Sequence, residues 1–328
     1  MRRLCSVLFL LMLVTLYLPL RAQTVDTAIE GTVTDNSGAV IPGATISVLS
    51  VATGIGKKAV ADSSGAYSVT YLAPGAYDVT VSADGFTTSV EKGIVLQINQ
   101  QARFNVSLKA GGTEQTVVVS ETQPLLQSEN SSLGVVVGTE SAANLPLNGR
   151  RFDDLAVLTP GVGVYNPDNH TSTEDGAAIT AYGSQLTWSQ VNVDGVTMVN
   201  NRHAYVNLYP SVDAIQEFRV FTGNAEAEYG GGAGTVTNIQ LRTGTNALHG
   251  DVFEFFRNTD MDARNFFLVA PAPKQVLKQN QFGATLGGPI IKDRTFFFFS
   301  YEGLRSIEQT AGLTNVLTPA EENGDFSP

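Results

Sequence analysis

From residue 25 onward the chain is written in short runs of alternating apolar and polar residues, separated by clusters of Gly, Pro, Asn and Asp. Strand-like runs lie at 28–34, 45–49, 66–71, 77–81, 94–98 and 102–108. The turn signals between them include Asp35-Asn36-Ser37-Gly38, Pro42-Gly43, Asp62-Ser63-Ser64-Gly65, Ala73-Pro74-Gly75 and Asp84-Gly85. Period-two alternation puts Tyr67, Val69 and Tyr71 on one face of a strand, and Tyr77, Val79 and Val81 on one face of another. Several short strands with one apolar face each predict a small antiparallel β-sandwich over 23–110.

The pattern changes twice. Between 124 and 245 strands mix with short helical stretches. Residues 151–158 read as a short helix stopped by Pro160, 211–218 and 225–229 as two more, and 219–221 and 236–241 as strands. Val191, Val193, Val196 and Met198 flank an Asp194-Gly195 turn. Beyond 246, aromatic-rich alternating segments (248–258, 281–287 and 295–304) are divided by polar turns, one of them Pro289-Ile290-Ile291-Lys292-Asp293-Arg294. That pattern is expected of outer-membrane barrel strands. A further soluble β-domain is the alternative.

The N-terminus reads differently. Arg2 and Arg3 precede an apolar run up to Leu20, followed by Arg21-Ala22-Gln23, which predicts a signal peptide over 1–22 cleaved after Ala22. An uncleaved anchor helix would need about 20 apolar residues, and Pro19 interrupts this run. Among 328 residues the only cysteine is Cys5, so neither a disulfide framework nor a thiolate metal site is available. A net charge of -11 argues against general affinity for nucleic acid. Sparse charge (16%) and 32 glycines fit an extracytoplasmic β-rich protein better than a cytosolic helical enzyme.

Two stretches carry family wording. The text GTVTDNSGAVIPGATISV, with DSSGAYSVTYLAPGAYDVTVSADGF, resembles the carboxypeptidase-regulatory-like, transthyretin-like module. That module is a non-catalytic companion domain, so the resemblance implies no peptidase. In residues 191–244 the order IQEFRV, Gly223, Tyr229-Gly230, Gly232, Gly234, TNIQLRTG resembles the plug domain of TonB-dependent outer-membrane receptors. LPLNGR at 145–150 resembles the plug start of the Oar-like members of that family. The resemblance implies a mainly β chain: the sandwich, an α+β plug over 124–245, and over 246–328 the first strands of an outer-membrane β-barrel. Such barrels have about 22 strands, and about three are legible here, so the chain reads as a fragment of a longer protein or a truncated gene.

The linker 111–123 contains Thr116, Val117, Val118 and Val119. These β-branched residues favour extended backbone. They read either as the last edge strand of the sandwich or as a TonB box, the segment such receptors offer to the periplasmic domain of TonB by strand addition. The resemblance further implies plug–barrel wall contacts at Asp194, Arg219 and Arg242, and uptake of a small ligand, glycan or peptide. A secreted or surface adhesion protein is the alternative. No catalytic, cofactor-binding or metal-binding residue is expected: His170, His203 and His249 lack ligand spacing, no Lys-Ser/Thr follows the 230–234 glycine run, and Ser63, Ser64 and Ser184 have no Gly-x-Ser-x-Gly context.

Overall fold

The computed structural model describes residues 27–111, 116–119, 133–138, 147, 150–165, 178–185, 188–199, 206–223, 225, 229, 234–264, 274–309 and 318–326. The expected signal peptide and most of the expected helix at 225–229 lie outside them. Two compact units are present: Met1–His249 with Gly287–Phe298, and Gly250–Leu286 with Phe299–Pro328.

The first unit begins with β1 (Thr27–Asp35), β2 (Thr45–Ser50), β3 (Gly56–Val60), β4 (Ala66–Leu72), β5 (Gly75–Ser82), β6 (Thr88–Leu96), β7 (Gln101–Arg103), β8 (Val106–Leu108) and β9 (Thr116–Val119). One sheet runs β4-β1-β7 with β8 also on β1; the other runs β3-β2-β5-β6-β9. Ile29, Val33, Tyr67 and Val69 from the first sheet meet Ile46, Val48, Tyr77, Val79 and Val81 from the second in one buried core. This is the sandwich that alternation predicts. Its main pairings are antiparallel, while β7 and β8 join β1, and β9 joins β6, in parallel.

Alternation misplaces one residue. Tyr71 does not share the buried face of Tyr67 and Val69. Its φ is +58°, its side chain is 60% exposed, and Leu72 takes the buried place opposite Thr27. A positive φ at a bulky residue is costly. The register shift between Thr27 and Ile29 requires it, because the strand must turn one side chain over to keep pairing. Within its sheet, β1 lies so close to the β7–β8 connection that a Cβ on Gly31 would sit 1.9 Å from the Phe104 carbonyl oxygen, which also accepts from Tyr67 Oη at 2.6 Å.

A third sheet follows, built from β10 (Leu133–Gly138), β13 (Gln190–Val193), β14 (Val196–Thr197), β15 (Ile215–Gly223) and β16 (Val236–Leu241), in the order β10-β15-β16-β13-β14. A separate hairpin pairs β11 (Val162–Tyr165) with β12 (Ala178–Ala181). A short helix, Phe152–Ala156, buries Phe152, Leu155 and Ala156 against Val191, Val193, Phe218, Val220 and Ile239. The expected helix at 211–218 is not formed. Val212–Ala214 makes one 3-10 turn, and Ile215 starts a strand that runs unbroken to Gly223. The run IQEFRVF alternates with period two and is rich in β-branched and aromatic residues. Pairing with both β10 and β16 rewards the extended form on each side.

The second unit carries most of β17 (His249–Asn258), β18 (Leu277–Ile291) and β19 (Thr295–Glu308), ordered β17-β18-β19. The expected turn at 289–294 is shorter than the sequence suggests: β18 continues through Pro289 to Ile291, and Asp293 turns the chain with φ +61°. Within this unit Gln281 Nε2 donates to Glu302 Oε1 at 2.7 Å on one face. On the other, Phe282 and Tyr301 lie with ring centroids 6.4 Å apart, and Leu286 and Phe299 occupy exposed alternate positions beside them. An exposed apolar face opposite a buried polar one is the alternation of a lipid-facing barrel wall.

Gly31→Ala is expected to destabilise the sandwich by about 2 kcal/mol or more, read as a lower urea midpoint. An unchanged midpoint would mean that the close approach of β1 to Phe104 is not made.

Candidate functional site

The sheet formed by β10, β13, β14, β15 and β16 has two unlike faces. The apolar one, described above, is a conventional core. The other carries Gln190, Asn192, Thr197, Glu217, Arg219, Asn238 and Gln240, and most of these are buried. Register explains how they meet. Thr197 pairs with Asn192, Asn192 with Asn238, and Asn238 with Arg219, so one transverse row crosses four strands. Groups of this kind cost several kcal/mol when buried without partners, so what covers them must supply hydrogen bonds.

The row is hydrogen-bonded first within the sheet and then from outside it. Gln190 Nε2 and Thr197 Oγ1 both donate to Asn192 Oδ1 at 2.9 Å, and Asn192 Nδ2 donates to Asn238 Oδ1 at 2.9 Å. Asn238 Nδ2 reaches Asn99 Oδ1 and Tyr229 Oη, each at 2.8 Å, and Asn99 Nδ2 donates to the same Tyr229 oxygen at 2.8 Å. Asn99 belongs to the sandwich, in the loop between β6 and β7. Its φ of +54° suits asparagine, which tolerates the left-handed region better than most residues.

The same loop meets two charged groups. Ile98 N donates to Glu217 Oε2 at 2.8 Å. Arg219 Nη1 donates to Asn99 O at 2.9 Å and lies 3.5 Å from Ile98 O, with its guanidinium 4.6 Å from the Phe221 ring centroid. At the edge of the contact, Gln216 Nε2 donates to Pro74 O at 2.8 Å. Burial pushes the Glu217 carboxyl up to about 7, against the opposing pull of the Ile98 amide and the Arg219 charge.

A second cluster locks the helical side of this domain. Arg150, at φ +50°, pairs with Asp213 at 2.9 Å in a buried bridge. Arg151 chelates Asp153, donates to Tyr209 Oη at 2.9 Å, and lies 4.5 Å from that ring's centroid. Burial alone would lower the Arg151 pKa, but the hydrogen bond and charge of Asp153 outweigh it and hold it above its ordinary value. The pair Arg150-Arg151 at the end of LPLNGRR thus has a structural role.

The expected site residues are dispersed. Thr116, Val117, Val118 and Val119 form β9, at the end of the sandwich's five-stranded sheet. Asp194, at φ +48°, clamps its hairpin onto β16 by accepting from Gln240 Nε2 at 2.8 Å and Leu241 N at 3.0 Å. Arg219 is 2% exposed and turned toward the sandwich loop. Arg242 donates its backbone N–H to Ala214 O at 2.8 Å. Sequence reasoning missed Asn99, Glu217, Tyr229 and Asn238 as a cluster. The available signal was the polar half of the alternation in β13 and β16, where Gln190, Asn192, Asn238 and Gln240 fall on one face.

Three domain families match in series: the carboxypeptidase regulatory-like domain over 28–109, the TonB-dependent receptor plug domain over 136–236, and an outer membrane β-barrel domain over 240–328. The TonB-dependent transporter Oar of Myxococcus xanthus is 28% identical over 277 residues, which are 80% of this chain and 25% of that protein. The chain therefore spans about a quarter of that relative's length. Among solved structures, the siderophore receptor PirA of Acinetobacter baumannii has a TM-score of 0.42 at 24% identity, over 55% of this chain and 26% of that one. A ferric enterobactin receptor mutant from Pseudomonas aeruginosa has a TM-score of 0.33 at 15% identity, over 54% and 34%.

The raised pKa fixes a sign for pH dependence. Glu217 holds its proton more tightly folded than unfolded, so its contribution is fully present below the unfolded value near 4.5. It is lost as pH rises through about 7. Replacing Glu217 with Gln should leave stability at pH 5 close to wild type. At pH 8 it should gain on wild type by up to about 3 kcal/mol. Parallel pH profiles of thermal midpoint for the two proteins would show the carboxylate to be solvated instead.

Proposed function

We propose that this chain, a member of the TonB-dependent outer-membrane receptors, gates uptake of a solute through a barrel whose first strands are β17, β18 and β19. The observation that carries the reading is the serial order of three matched domains, sandwich then plug then barrel, on one chain. We assign the segments as leader (1–22), periplasmic sandwich (23–110), linker (111–123), plug (124–245) and barrel wall (246–328).

In this reading the plug closes the barrel until the periplasmic domain of TonB pulls on Thr116, Val117, Val118 and Val119. Those β-branched residues hold extended backbone and can add to a partner's sheet edge. Asp194 and Arg242, beside the C-terminal end of β16, would supply side chains to the barrel wall. Arg219 would add to the wall only on release from the Asn99 loop. The solute is a small ligand, a glycan or a peptide. Passage past a displaced plug makes and breaks no covalent bond, so the reading calls for no catalytic residue. A surface adhesion role leaves the buried polar plug face and the lipid-type alternation of β18 and β19 without purpose.

Val118→Pro removes a backbone donor from this segment. It should weaken capture of a purified TonB C-terminal domain by about tenfold or more. Undiminished capture by that variant would remove TonB recognition from Thr116–Val119.

A further inference from the structure

β9 is not a loose peptide. It lies parallel to β6, with Thr88 opposite Thr116, Ser89 opposite Val117, Val90 opposite Val118 and Glu91 opposite Val119. It is also the last strand of its sheet, so among the described residues no strand pairs with its outer side. An outermost strand presents a row of N–H and C=O groups with no ladder partner, which is a template for an incoming strand.

The two edges of this sheet are unlike. At the far edge β3 carries Lys57 and Lys58, and Lys57 Nζ donates to the carbonyls of Thr70 and Tyr71 at 2.9 and 2.6 Å. Lysines on an edge strand discourage pairing with another chain. At the near edge the sequence is Thr-Val-Val-Val, with no charge to discourage it.

We propose that TonB is recognised in place: β9 stays zipped to β6, and its outer edge accepts a strand of the TonB periplasmic domain. The sandwich is then the platform of the complex. This rests on the TonB reading above and specifies how the segment is offered. The physical advantage is preorganisation, because a backbone already fixed as strand loses little further conformational freedom when its partner arrives. It also gives tension a second path. β6 runs directly into the loop where Ile98 and Asn99 bond Glu217, Arg219 and Asn238. A pull on β9 therefore reaches β15 and β16 through hydrogen bonds as well as through the covalent linker.

The test uses the full-length protein in outer-membrane vesicles, with Val90→Cys and Val118→Cys introduced together. Cys5, the one native cysteine, falls in the expected leader. The pair is closed by oxidation or a short thiol cross-linker, and capture of purified TonB C-terminal domain is measured before and after. Closure should occur, and capture by the closed form should stay within about threefold of the open form. A second register pair, Ser89→Cys with Val117→Cys, should behave alike, which separates an effect of closure from an effect of one cysteine. Capture that disappears on closing both pairs overturns the proposal, since β9 must then leave β6, while TonB recognition stands. Failure of both pairs to close also overturns it. Absence of capture by wild type as well removes the TonB reading itself.

Discussion

A buried amide must be bonded, and the organisation of this chain between residues 90 and 240 turns on that constraint. Asn238 sits at the centre of the plug sheet, 3% exposed, bonded to three polar groups. The sheet's own residues satisfy one side of it. The other side is met by Asn99 and Tyr229, and Asn99 belongs to a different domain. Left without that loop, Asn238, Arg219 and Glu217 would have to be met by water or by another surface. The sandwich is thus joined to the plug by hydrogen-bonding necessity more than by apolar area, because the apolar face of the plug sheet is already used against the Phe152–Ala156 helix.

Polar junctions of this kind are specific and reversible. Their gross strength is large, but water competes for every group as soon as the surfaces part. Glu217 adds a bias: its burial opposes ionisation, so the contact is firmer when the carboxyl holds its proton. The Arg150–Asp213 bridge and the Arg151–Asp153–Tyr209 cluster stiffen the other side of the plug without touching this junction.

Much of this was legible from pattern. Period-two alternation located the sandwich, the Asp194-Gly195 hairpin and β16, because one face of each is buried and the code is local. It failed where distant partners decide. Ile215–Phe218 has a sequence that could begin a helix, yet β10 and β16 pair with it on both sides and hold it extended. β3 and β10 escaped notice because Gly56–Val60 and Leu133–Gly138 carry little apolar contrast between their faces. Tyr71 was assigned to the wrong face, since a register shift in β1 cannot be read from β4 alone. The polar cluster was half visible in the alternation of Asn192, Asn238 and Gln240. Its other half, Asn99, lies in a turn 139 residues before Asn238, and nothing local marks it as a partner.

The docking of the sandwich on the plug is open to one direct measurement at a site outside the polar cluster. Gln216 Nε2 donates to the backbone carbonyl of Pro74 at 2.8 Å, which brings these two positions together across the contact. With Pro74→Cys and Gln216→Cys in the full-length protein in outer-membrane vesicles, a short thiol cross-linker should join the two domains. Both thiols reacting separately with maleimide, and no cross-link forming, would contradict the docked arrangement.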